Sequence, residues 1–130
     1  MTKIIKSNAI LIVEDDKDLR NILEVIFEQN GYSVLTAANG KEGLEILNSN
    51  KVDAVISDVR MPVMDGIELL KRIKSQYLSL PVVFLITGFA DISDEKALSL
   101  GASGVIDKPF QIAKIIGEIR VAIDNAIVGQ

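Results

Sequence analysis

The side chains able to do chemistry stand at the ends of short apolar runs. Glu14, Asp15 and Asp16 follow AILIV, Asp58 follows AVIS, Thr87 follows VVFLI, and Lys108 comes just after GVI with Pro109 behind it. The chain has no histidine and no cysteine. That removes thiol nucleophiles, Ser-His-Asp catalysis and every imidazole or thiolate metal site. Carboxylates, a hydroxyl and an ammonium remain. Three carboxylates sharing one pocket repel and raise one another's pKa, so a cation must compensate them. An all-oxygen donor set suits Mg²⁺, or Mn²⁺, rather than Zn²⁺. Because Mg²⁺ combines one or two carboxylates with waters and phosphate oxygens, the set points to phosphoryl chemistry. A carboxylate can itself be the nucleophile and become an aspartyl-phosphate. Asp58, alone at the end of its run, is the candidate. Glu14 and Asp15 would hold the metal, Lys108 would pair with Asp58 and then with phosphoryl oxygens, and Thr87 would donate its hydroxyl.

This chemistry requires the four run ends to meet. Continuous apolar runs at Ala9–Val13, Ala54–Ile56, Val82–Ile86 and, more weakly, Gly104–Ile106 read as strands covered on both faces, with a mixed run at 32–36. Helical stripes separate them: Leu19, Ile22, Leu23, Ile26 and Phe27, closed by Gly31; Ile67, Leu70, Ile73 and Tyr77; and Ile112, Ile115, Ile116, Ile119, Ile123 and Ile127. Asp65 is placed to cap the middle stripe, with Glu68 as its capping-box partner. Residues 39–49 and 92–100 are weaker helices, the second poor in apolar anchors and so among the less stable parts. Five β-α units in succession predict a single doubly wound α/β domain over residues 1–130, with a core of about 8–127. In such sheets ligands lie beyond the carboxyl ends of the strands, where the run ends are.

The chain has 130 residues, a net charge of −4, 48% hydrophobic and 5% aromatic residues. The core must therefore be built mostly from Ile, Leu, Val and Ala. The negative charge argues against direct nucleic-acid binding or an anionic membrane surface. No apolar run approaches the ~18 residues of a membrane span, and the N-terminal stretch meets Glu14–Asp16 too soon for a signal peptide. A cytoplasmic setting is expected.

Four motifs, ILIVEDD (10–16), DVRMPVMDG (58–66), FLITG (84–88) and GASGVIDKPF (101–110), occur in the order and spacing of one family. The chain resembles, over essentially its whole length, the receiver domain of two-component response regulators, in the chemotaxis-regulator style. The resemblance implies a flavodoxin-like parallel sheet of order 2-1-3-4-5 flanked by five helices. It implies that Asp58 takes a phosphoryl group from a sensor histidine kinase or a histidine phosphotransfer protein. It implies that the backbone carbonyl of Arg60 completes the Mg²⁺ shell and that the Lys108–Pro109 bond is cis. It further implies that switching alters a fourth-helix, fifth-strand and fifth-helix face.

The pattern departs from the family at Val105, where an aromatic ring usually stands. A valine is stiff about χ1 and has no ring to rotate, so any switching is expected to rest on loop and fourth-helix rearrangement. Arg60 and Phe89 flank the path of the attacking water in the family and are expected to shield the acyl phosphate here. Leu19 and Ile22 are expected near the kinase-docking surface unless they lie wholly in the core. Simpler roles stay open. Asp16 and Asp65 read as helix caps, Met61 and Met64 as packing, Phe110 as an anchor of the last helix, and Asp58, Thr87 and Lys108 each have ordinary turn, strand-end or surface readings. A receiver that binds partners without being phosphorylated is one alternative. A small Mg²⁺-dependent phosphatase of the haloacid dehalogenase type is another, but Asp16-x-Asp18 is followed by Leu19–Arg20 without the expected hydroxyl.

Overall fold

A computed structural model describes residues 8–88, 91–108 and 111–128. Strands β1 (Ala9–Val13), β2 (Ser33–Ala37), β3 (Ala54–Asp58), β4 (Val82–Thr87) and β5 (Gly104–Asp107) alternate with helices α1 (Lys17–Gln29), α2 (Gly40–Ser49), α3 (Gly66–Gln76), α4 (Asp94–Ser99) and α5 (Ile112–Val128). All pairings are parallel, and the order is β2-β1-β3-β4-β5. The fold class is the one the sequence predicts.

Side chains leave each strand on alternating faces, which divides the core in two. Ile10, Ile12, Ile56, Phe84 and Ile86 meet Leu23 and Phe27 of α1 and Ile115, Ile119 and Ile123 of α5. On the other face Leu11, Val13, Val55, Val83 and Leu85 meet Leu47 of α2, Leu69, Leu70 and Ile73 of α3, and Ala97 of α4. Both faces of the central strands are covered, so their sequences are continuously apolar rather than alternating.

Helix starts are set by side-chain caps. Asp16 accepts from the N–H groups of Asp18 and Leu19, Asn39 from Glu42, Asp65 from Glu68 and Ser93 from Lys96. The Glu68 carboxylate is engaged by Arg72 one turn on, 3.1 Å from Nε, in place of the expected capping box. Gly31, at φ +89°, ends α1 in the left-handed region that glycine adopts without strain.

Four details differ from the sequence reading. Tyr32 precedes β2; its N–H bonds Phe27 O at 3.1 Å and its ring meets Phe27 edge-on at 5.8 Å. Ile22 is 55% exposed, because Leu19, Leu23 and Phe27 already fill the strip of α1 that faces the sheet. Ile127 is also exposed, since the 17-residue α5 spans about 25 Å and outruns the strands. Helix α4 is shorter than predicted, six residues with only Ala97 buried.

Candidate functional site

Parallel strands put their carboxyl ends on one edge, and the register fixes which residues meet there. Val13 pairs with Ser57, Asp58 with Ile86, and Thr87 with Asp107. Glu14 and Asp15, just past β1, therefore stand beside Asp58, the last residue of β3. One carboxylate oxygen from each of the three lies within 4.8 Å of the others. Lys108, just past β5, brings Nζ to 3.7 Å from Asp58 Oδ2. The Lys108 side chain passes over Gly88, where a Cβ would already touch its Cδ at 3.9 Å. Lys108 N–H donates to Thr87 O at 2.9 Å, which ties the fifth-strand loop to the end of β4.

Asp58 is oriented from several sides. Oδ1 accepts the Val59 N–H at 2.9 Å, and the Ser57 hydroxyl donates to the Asp58 carbonyl at 2.9 Å. Glu14 is buried. Its Oε2 accepts the Asp16 N–H at 3.1 Å, while Oε1 is buried without a hydrogen-bond partner among the described residues. Burial, reinforced by the charge of Asp58 and the neighbouring Asp15, raises the Glu14 pKa from 4.5 to about 7; the Asp16 N–H and Lys108 oppose the shift. An orphaned buried carboxylate oxygen beside two more acids fits a small divalent cation with oxygen ligands. Glu14, Asp15 and Asp58 are the residues able to hold it.

Thr87 is buried, and its hydroxyl donates to Asp91 Oδ2 at 3.1 Å. Arg60, two residues past Asp58, reaches Asp91 Oδ1 with Nε at 2.7 Å and with Nη2. Asp91 therefore joins the loop after β3 to the loop after β4, a link that the sequence reading missed. Two oppositely charged residues in loops beyond neighbouring strands were the available signal, but no periodicity pairs them. Val105 lies in β5 and packs against the cluster containing Leu85 and Ala97. Met61 and Met64 pack against the same cluster. The Asp16 and Asp65 side chains cap α1 and α3. The expectations for Phe89, Phe110 and the Lys108–Pro109 bond fall outside the described residues.

Residues 10–120 match the response regulator receiver domain over more than four-fifths of the chain. The chain belongs to the response regulator receiver family. This receiver is 35% identical over 111 residues to the response regulator SaeR of Staphylococcus aureus, a match covering 85% of the chain and 48% of SaeR. The chain thus spans about half the length of the curated relatives it matches. Among solved structures it is similar to a CheY-like receiver domain protein of Methanospirillum hungatei, with a TM-score of 0.89, 27% identity and coverage of 96% of this chain and 100% of that one. The receiver domain of the Francisella response regulator 1452 matches with a TM-score of 0.84, 29% identity and coverage of 92% and 98%. No helix among the described residues is long and apolar enough to cross a membrane.

Proposed function

We propose that this receiver is a phosphoacceptor switch in which Asp58 takes a phosphoryl group from a phosphohistidine on a sensor kinase or phosphotransfer protein. The observation that carries the reading is the convergence of Glu14, Asp15 and Asp58 with Lys108 at the carboxyl edge of the sheet. A carboxylate oxygen of Asp58 attacks phosphorus. The new P–O bond forms as the P–N bond breaks, and the electron pair leaves with the imidazole of the donor, which gains a proton from solvent. Residues 1–130 hold no histidine, so that imidazole lies outside this domain. Lys108, held beside Asp58, neutralises charge on the transferred oxygens, and the Thr87 hydroxyl donates to one of them.

Glu14, Asp15, Asp58 and the Arg60 carbonyl are the proposed ligands of Mg²⁺, with Mn²⁺ as a substitute. When bound, the cation offsets the repulsion among the acids and draws charge from the phosphoryl oxygens. Residues 8–127 act as one such module, in the cytoplasm, without turning over substrate and without contacting nucleic acid themselves. The output partner joins at a face remodelled around α4, β5 and α5. Arg60 and Phe89 are proposed to shield the acyl phosphate from water.

The test is labelling with radioactive acetyl phosphate. Stoichiometric, hydroxylamine-labile incorporation that needs Mg²⁺ and disappears with a chelator is expected. Catalytic hydrolysis of simple phosphate esters would instead indicate a phosphatase, and absence of labelling would indicate a binding module that is never phosphorylated.

The raised Glu14 pKa gives a second expectation. Its folded value, about 7, exceeds the ordinary 4.5. The neutral carboxyl therefore contributes stability that is full below 4.5 and lost as pH rises through 7. Metal-free protein should lose up to about 3 kcal/mol between pH 5 and pH 8, a fall in Tm on the order of 10 °C. Millimolar Mg²⁺ should recover most of that at pH 8 and little at pH 5, and Glu14→Gln should flatten the metal-free slope. Thermal melts across pH, with and without Mg²⁺, measure both.

A further inference from the structure

The arrangement around Asp91 goes beyond the phosphoacceptor reading and rests on it. Asp91 lies four residues past Thr87 and three before the first residue of α4. Its side chain is 9% exposed although it belongs to a loop. Both of its oxygens are engaged, Oδ2 by the Thr87 hydroxyl and Oδ1 by the Arg60 guanidinium. Ser93, two residues on, caps α4 through its hydroxyl, which accepts the Lys96 N–H at 3.1 Å. Asp91 thus ties the lead-in of α4 to the ends of β3 and β4.

The groups that hold Asp91 are those an acidic phosphoryl group at Asp58 would use: a buried hydroxyl and a guanidinium, both donors to anionic oxygen. A hydroxyl has one proton to give. Thr87 can donate it to Asp91 or to a phosphoryl oxygen, but not to both. Arg60 is 73% exposed in its side chain and has room to reorient.

We infer that Asp91 is an internal anionic stand-in: its carboxylate occupies Thr87 and Arg60 in the unphosphorylated protein and is displaced when Asp58 is phosphorylated. The displacement unties the lead-in of α4 from the site. Asp91 touches neither the donor nor the transferred group. It is a positioning residue that opposes phosphorylation by holding Thr87 away from it, and it converts arrival of the phosphoryl group into release of α4.

The test is the rate of labelling by radioactive acetyl phosphate with saturating Mg²⁺. In that reaction an Asp58 oxygen bonds phosphorus as the P–O bond to the acetyl carboxylate breaks and acetate leaves with the pair. Wild type, Asp91→Ala, Asp91→Asn, Thr87→Val and the Asp91→Ala/Thr87→Val double variant are compared, each verified as folded by circular dichroism. Asp91→Ala should label about tenfold faster than wild type, because one charge-assisted hydrogen bond no longer competes. Asp91→Asn keeps an acceptor but loses the charge, and should fall between the two. In the Thr87→Val background, Asp91→Ala should bring no acceleration, since the hydroxyl they share is gone. A merely structural Asp91 would slow labelling or leave it unchanged. Either result in Asp91→Ala, or an acceleration that persists without the hydroxyl, overturns the inference while the phosphoacceptor reading stands. A wild-type protein that takes no label overturns both.

Discussion

Asp58→Asn will abolish labelling by acetyl phosphate while leaving a folded protein with a higher metal-free Tm. The loss should exceed about a thousandfold, as it does when a covalent nucleophile is removed from a preorganised site. An amide oxygen is a poor nucleophile, and the neighbouring acids are poorly placed to replace it. Glu14 is buried with one oxygen engaged by the Asp16 N–H, and Asp15 is exposed. Stability should move the other way. The Asp58 charge is one of the causes that raise the Glu14 pKa, so removing it lets Glu14 ionise more readily and relieves repulsion in the pocket. The gain should be about 1 kcal/mol without Mg²⁺, a few degrees in Tm, and should shrink as Mg²⁺ is added. Lys108 loses its charged partner in the same change, which limits the gain. Labelling and melting curves on the same preparation separate the two effects. Residual labelling above a few per cent of wild type would move the acceptor to another residue.

Gly66→Ala carries the largest expected cost to stability, about 3 kcal/mol or more, or at least 10 °C in Tm. A Cβ at this position would overlap the Asp58 carbonyl oxygen and lie 3.0 Å from its carbon and 3.1 Å from Ser57 Oγ. None of these atoms can retreat freely. The carbonyl belongs to the last residue of β3 and accepts the Ser57 hydroxyl. The Gly66 N–H is itself committed to Val59 O at 2.9 Å. The first turn of α3 must therefore lift away from the end of β3, against Leu69, Leu70 and Ile73, all fully buried in the core. Because the same clash displaces Asp58, the acetyl phosphate rate should fall even at temperatures where the variant is folded. A variant that melts within a few degrees of wild type would show that the helix start has slack that its contacts do not suggest.

The site was legible where one-dimensional pattern and topology coincide. An apolar run ending in a carboxylate, repeated for β1 and β3, becomes a shared edge once the strands are parallel, so Asp58, Glu14, Asp15 and Lys108 could be named before any contact was known. The β-α alternation was legible for the same reason, since short continuous apolar runs and stripes of period 3.6 leave different traces. What escaped has no period. Asp91 meets Arg60 across 31 residues of chain, between two loops. Gly66 reads as an ordinary helix start, and only the packing of α3 on β3 gives its missing Cβ a reason. Ile22 satisfies the helical spacing and still faces outward, because spacing defines a stripe without defining how wide a strip the sheet covers.

The brevity of α4 has a consequence for how little force a signal would need. Six residues with a single buried alanine make a helix whose docking is worth scarcely more than one or two hydrogen bonds. A segment so lightly moored can be recruited by trading one contact for another at its root, while the sheet beneath it, sealed on both sides, stays put. Amide exchange should accordingly be faster in α4 than in the other helices and slowest in β1 and β3.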